Sequence, residues 1–218
     1  MIRRLVTIII LVQVVQLLVG LTPWRKTMLS FWVLSPEGVY QHWRVWQVFT
    51  YAFFHADVFP MFPLHIIMNL WMLRYFGRAL ERKALPKHIW RLFVYGAIGA
   101  AVLWLATSQD KGGYVVGASG AVFAFLTAFA VCFPDVVLKI WIFIFPVVCR
   151  ARTLALCVCG FELCCVIFNW FPLIAHTAHL GGAAVGWWYG RKIREFIIQR
   201  ELDALLPGWE ILDSTRRQ

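Results

Sequence analysis

Charge is scarce in this chain. Only 15% of its 218 residues are Asp, Glu, Lys or Arg, and acids are the rarer sign, 11 against 21 basic residues. A water-soluble domain carries about 25% charged residues. With 61% hydrophobic residues and a mean hydropathy of +0.70, this chain reads instead as an integral membrane protein. Other absences narrow the class. There is no His-Glu-x-x-His run and no pair of membrane aspartates, which sets aside zinc- and aspartate-based hydrolysis within the bilayer. The internal repeats and midplane helix breaks expected of a transporter are also missing. Six cysteines, at 132, 149, 157, 159, 164 and 165, have neither zinc-site spacing nor the setting of a disulfide framework. They are expected to be free thiols packing as small apolar groups, and neither a metal nor a cofactor is expected.

Nothing marks a second domain. At about 20 residues per span plus a connector, residues 1–218 suit one all-α bundle of six transmembrane helices, with its core at about 40–191 and a short cytoplasmic tail over 192–218. The formal net charge of +10 would suit nucleic acid if it were gathered in one patch, but the basic residues lie in short connectors. Alternate connectors hold Arg3 and Arg4; Arg74, Arg78, Arg82, Lys83, Lys87 and Arg91; Lys139, Arg150 and Arg152; and Arg191, Lys192, Arg194, Arg200, Arg216 and Arg217. The intervening connectors keep only Arg25, Lys26, Arg44 and Lys111. Basic residues collect on the cytoplasmic side, so both termini are expected there. The charged partner is the lipid bilayer and not a nucleic acid.

Taken in order, residues 5–21 form an apolar stretch without a small-residue cleavage site after it, and are expected to be a retained first span. Gln13 and Gln16 lie three apart on one helical face and should look into the bundle. Residues 22–60 are too polar to span, yet they are crowded with Trp, Phe and Tyr, as befits a loop at the water–lipid boundary. A second span opens at Leu64 and runs to about Leu80, where Glu81 is expected to pair with a neighbouring arginine. His65 and Asn69, four apart, share one face and would otherwise satisfy each other. A third span covers about 89–107. The fourth, about 118–133, is stopped by Pro134. Residues 136–148 are too short to cross and suggest an interfacial or hairpin-like segment. A fifth span covers about 153–170 with Glu162 near its middle, where an acid serves either chemistry or packing. The last begins near Ala178.

Two polar residues stand at the mouths of apolar helices, Ser119 within Gly117-Ala-Ser-Gly120 and His179 within Ala178-His-Leu-Gly-Gly182. In lipid such groups are costly unless they meet each other or water. Glycines at 182, 186 and 190 repeat every fourth residue and clear one helix face. Gly120, Ala124 and Ala128 offer a matching small face. Packing these two faces would bring Ser119 and His179 together, so that a neutral histidine can activate the serine hydroxyl. No acid in the sequence flanks either residue, which favours a Ser-His dyad over a triad. Unpaired amides at the start of the serine helix would serve as oxyanion donors, with His65 and Asn69 as side-chain candidates.

With these motifs, and with Trp43-Arg44 in the first outer loop, the chain resembles a rhomboid intramembrane serine protease over roughly residues 40 to 191. The resemblance implies a six-helix bundle that hydrolyses peptide bonds of single-pass membrane proteins near their outer ends. It implies Ser119 as nucleophile and His179 as general base. His65, Asn69 and the Ser119 amide would form the oxyanion site, with Phe123 stacked on the histidine and Trp43-Arg44 in the membrane-embedded loop. Substrate entry by movement of the fifth helix is implied as well. His55 resembles a recurring structural histidine of the outer loop, and His176 is the less suitable base. The alternative is a rhomboid-like pseudoprotease that binds membrane clients without cutting them. A compact core without a long transit peptide suggests a bacterial cytoplasmic membrane, with the site opening to the outer side.

Overall fold

The computed structural model describes residues 1–57, 62–108, 113–142 and 145–205. Lys111, Arg216 and Arg217, which entered the reading of charge topology, lie outside the described residues, as do residues 58–60 at the end of the expected outer loop. Apolar side chains all round a helix leave water out of the question as its solvent, and the backbone must then satisfy itself within the helix. Six long helices carry the fold among the described residues. They are α1 (Ile2–Gly20), α4 (Leu64–Glu81), α5 (Pro86–Thr107), α6 (Ser119–Cys132), α7 (Ala151–Phe168) and α8 (His176–Leu205). These six occupy the positions of the six expected spans. Three of them, α1, α5 and α7, are long and apolar enough to cross a membrane by length and composition alone.

Local chemistry sets several boundaries. Pro86 occupies the first turn of α5, where its fixed φ and missing N–H cost nothing. Asn169 closes α7 in the left-handed region at φ 52°. α8 starts two residues earlier than expected, at His176, and runs on to Leu205. The first part of the expected tail is therefore a continuation of the last helix.

The outer loop is built from short pieces, α2 (Arg25–Trp32), a π-helical turn over Glu37–Gln41, α3 (Gln47–Thr50) and a 3-10 turn over Tyr51–Phe53. Trp24, Phe31, Trp32, Trp43 and Trp46 are exposed along it, as the boundary reading requires. The segment after α6 is a two-stranded antiparallel hairpin, β1 (Val137–Ile142) and β2 (Phe145–Arg150), pairing Val137 with Arg150 and Ile142 with Phe145. It adds a small sheet to an otherwise helical fold.

The basic connectors gather at one end. Lys83 Nζ, just past α4, bonds Glu201 Oε1 on α8 at 2.8 Å. Glu81 accepts from the Ile2 amide at 3.1 Å and from the Met1 amino group. The expected arginine partner of Glu81 is thus replaced by the start of α1, whose free amides lie nearer. On the last helix the Arg191 guanidinium stacks 3.5 Å from the Trp187 ring centre, and Lys192 Nζ lies 4.7 Å from that of Trp188. Gln13 and Gln16 are buried in the bundle. At the opposite end Gln16 is held by His55, donating to its carbonyl at 2.7 Å and accepting from its amide at 3.2 Å.

Candidate active site

α6 is the central helix, with ten of its 14 residues buried. At about 1.5 Å per residue it is about 21 Å long, well short of the roughly 30 Å hydrocarbon layer, so its first residue lies below the outer surface. That residue is Ser119. α8 lies against α6 along the glycine face. A Cβ on Gly182 would overlap the Gly120 carbonyl, one on Gly186 the Ala124 backbone and Thr127, and one on Gly190 would stand 2.8 Å from the Ala128 Cα. Bare backbone against bare backbone fixes the relation of the two helices. Thr127 adds a hydrogen bond across the seam, Oγ1 to the Ala183 carbonyl at 2.9 Å.

The segment leading into Ser119 is clamped by the outer loop. Leu34 and Val115 exchange backbone hydrogen bonds at 3.2 and 2.8 Å, and Gly117 N–H donates to the Tyr51 carbonyl at 3.1 Å. Tyr51 is itself buried and donates its hydroxyl to the Ala97 carbonyl at 2.9 Å, and burial pushes its phenol well above the usual range. His55, 0% exposed, accepts the Ala118 amide at Nε2 at 3.4 Å. Burial, then the neighbouring His65 ring, push His55 down to about 3, so it remains neutral and able to accept. Gly117 has φ +123°, and a Cβ there would stand 2.8 Å from the His65 ring. Only glycine takes that conformation freely with a ring so close.

The clamp and the seam together place Ser119 Oγ 2.9 Å from His179 Nε2. The Phe123 ring lies parallel over the imidazole, with centres 4.4 Å apart and an interplanar angle of 7°. The Ser119 and Gly120 amides precede the first hydrogen bond of the helix, from Val122 N–H to the Ala118 carbonyl, and so offer donors beside the hydroxyl. His65 flanks Gly117 and accepts the Ala56 amide at Nδ1 at 3.3 Å, which leaves Nε2 as its donor. Asn69 is buried and spends one N–H on the His65 carbonyl at 2.8 Å. This is a side-chain to backbone bond, not the side-chain pair that spacing alone suggests. Trp43 and Arg44 sit apart from the serine. Trp43 is 78% exposed with φ 53°, and Arg44 donates to the Ser30 carbonyl at 2.7 Å, inside the outer loop.

The Rhomboid domain model matches residues 42–196. The chain belongs to the rhomboid family. It is 30% identical over 177 residues to RHOMBOID-like protein 12, mitochondrial, of Arabidopsis thaliana, covering 74% of this chain and 50% of that protein. It is 31% identical over 160 residues to Rhomboid protein 1, mitochondrial, of Saccharomyces cerevisiae, covering 70% and 44%. Presenilin-associated rhomboid-like protein A, mitochondrial, of Danio rerio is 25% identical over 152 residues, covering 68% and 39%. The chain thus spans half or less of the length of these relatives.

Within this rhomboid fold the structure adds a neighbour to the pair that adjacency in the sequence does not show. The sequence shows no acid beside Ser119 or His179, but folding brings one from α7. Glu162, 8% exposed, places Oε2 3.0 Å from His179 Nδ1 and 2.6 Å from His176 Nδ1. Sequence adjacency was the wrong measure, since a residue near the middle of one helix can face the first turn of another. His176 is turned away from the serine. Its Nε2 faces the Trp170 and Phe171 carbonyls at 3.0 and 3.2 Å, and it lines a cavity of about 530 Å³ that neither Ser119 nor His179 borders. The ligand atoms of Glu162, His176 and His179 all lie within 4.8 Å of one another, a donor set of the kind that takes a divalent ion. Hydrogen bonding already accounts for both nitrogens of His176. The signal that could have flagged Glu162 was two histidines on one face of the last helix, together with a lone acid in the neighbouring span.

Proposed function

We propose that this protein is an intramembrane serine endopeptidase that hydrolyses peptide bonds of single-pass transmembrane proteins. The observation that carries the reading is the 2.9 Å approach of Ser119 Oγ to His179 Nε2 at the recessed mouth of α6. His179 Nε2 takes the hydroxyl proton as Oγ bonds to the scissile carbonyl carbon, and the carbonyl π pair becomes the oxyanion. The Ser119 amide, with His65 and Asn69, is positioned to donate to that charge, each donor contributing about 3 kcal/mol. Collapse re-forms the carbonyl and breaks the C–N bond. The proton on Nε2 passes to the leaving amine, and water then repeats the sequence on the acyl-enzyme. Phe123 keeps the imidazole plane fixed throughout.

By the positive-inside rule the end carrying Arg78, Lys83 and Arg194 faces the cytoplasm or its organellar equivalent, and the site opens on the opposite side. The three relatives above carry mitochondrial names, and none of them supports the bacterial cytoplasmic membrane expected from the sequence. We propose an energy-converting membrane of mitochondrial type as its location, which fluorescence microscopy of the tagged full chain checks.

The decisive experiment is cleavage of a single-pass substrate in liposomes, beside labelling by a serine-directed phosphonate probe. Wild type should cleave and label, while Ser119→Ala and His179→Ala lose cleavage by at least about 10³-fold and Ser119→Ala takes no probe. A folded wild type that neither cleaves nor labels would turn the reading to a client-binding pseudoprotease.

A further inference from the structure

Resting on the protease reading, we infer that Glu162 is a positioning residue for His179, a third member of the Ser119–His179 pair supplied by α7. The argument is one of proton accounting. To accept from Ser119, Nε2 of His179 must present its lone pair, so in the base form the ring proton sits on Nδ1. That atom is buried and has no aligned hydrogen-bond partner among the described residues. The acceptor nearest to hand is Glu162 Oε2 at 3.0 Å, close enough in distance but not yet aligned. A small turn of the ring or the carboxylate closes the bond, the kind of adjustment that accompanies substrate binding.

The carboxylate does not wander, because His176 holds it. His176 Nε2 faces two carbonyl oxygens and must therefore carry a proton. Its Nδ1 meets the same Oε2 at 2.6 Å, with a proton shared between them. The loop that supplies the carbonyls has Asn169 and Phe171 at φ 52° and 51°, an uncommon conformation for non-glycine residues that points both carbonyls at one imidazole. A chain runs from this loop through His176 and Glu162 to His179 and Ser119. An acid left in the apolar span merely for packing needs one partner. This one is shared by two histidines, one of which touches the serine.

The test reads tautomer and rate together, on the full chain in lipid bilayers. ¹⁵N NMR of histidine-labelled wild type should show His179 protonated at Nδ1, assigned by the signal lost in His179→Asn. Glu162→Gln, whose amide offers a donor as readily as an acceptor, should mix the two tautomers. It should also lower kcat at least about tenfold with KM unchanged, and Glu162→Asp should recover part of that loss. His179 protonated at Nε2 in the wild type would overturn the inference without any variant, and so would wild-type tautomer and kcat in Glu162→Gln. Nδ1 protonation that depends on Glu162, in a wild type that neither cleaves nor takes the phosphonate probe, would remove the protease reading and leave the positioning role standing.

Discussion

α8 meets two of its neighbours, α6 and α7, in opposite ways. Against α6 it presents glycines to backbone, a seam with no room for a methyl group. Against α7 it presents two histidines to one glutamate, while most of α7 turns away. Leu156, Phe161, Leu163, Ile167 and Phe168 are exposed and face lipid. Dispersion and close packing hold the first contact, and they are lost steeply with distance. The second rests on the hydrogen bond between His176 and Glu162, with His179 in reach of the same carboxylate, and a contact of this kind can be broken and remade with a small motion. The proposed nucleophile and base thus lie on the rigid seam, and the carboxylate proposed to orient the base comes from the loosely packed helix.

The seam breaks first and with the largest effect. Gly186→Leu forces α8 away from Ala124 and Thr127, and an ångström of displacement at Ser119 and His179 costs about 100-fold in rate. Cleavage assays on the folded variant should show at least that loss, and wild-type turnover would mean the helices are not held by this contact. A smaller effect comes from the clamp above the seam. His55 is neutral in the fold with its value near 3, against 6.5 ordinarily. The unfolded chain therefore takes up a proton that the folded chain refuses. Stability is full above pH 6.5 and falls as pH drops from 6.5 toward 3. Thermal unfolding in detergent should show this slope, and His55→Asn should flatten it. The same slope in the variant would assign it to another group. The smallest effect belongs to the outward face of α7. Leu156→Ala removes a lipid-facing side chain that is 73% exposed, and should shift stability by under about 0.5 kcal/mol and leave cleavage rates unchanged. A large loss there would show α7 to be a packed element like α6.

The two contacts also differ in how far they can be read from sequence. Glycines every fourth residue at 182, 186 and 190, opposite Gly120, Ala124 and Ala128, are a local pattern with one steric meaning. The meeting of Ser119 and His179 follows from it. The stop at Pro134, the aromatic outer loop and the hairpin-like segment were legible for the same reason, since each is dictated by residues near one another in the chain. Glu162 was not, because its role depends on the rotation of α7 about its own axis, which an all-round apolar helix does not encode. The partner of Glu81 was hidden likewise. Nearby arginines were the local expectation, and the start of α1 took the place from across the bundle. His55 presented only as a loop histidine, and its bond to the Ala118 amide requires the fold.

The cation–aromatic stacks near the end of α8 have a consequence for depth. Arg191 and Lys192 rest on Trp187 and Trp188, and such pairs settle at the headgroup boundary. From residue 179 to residue 191 the helix climbs about 18 Å, so Ser119 and His179 ride on a rod of fixed length above that boundary. In a hydrocarbon layer of about 30 Å they lie about 12 Å beneath the far boundary. Thinning the bilayer shortens that gap and leaves the rod unchanged, so membrane thickness sets how far beneath the far boundary Ser119 and His179 lie.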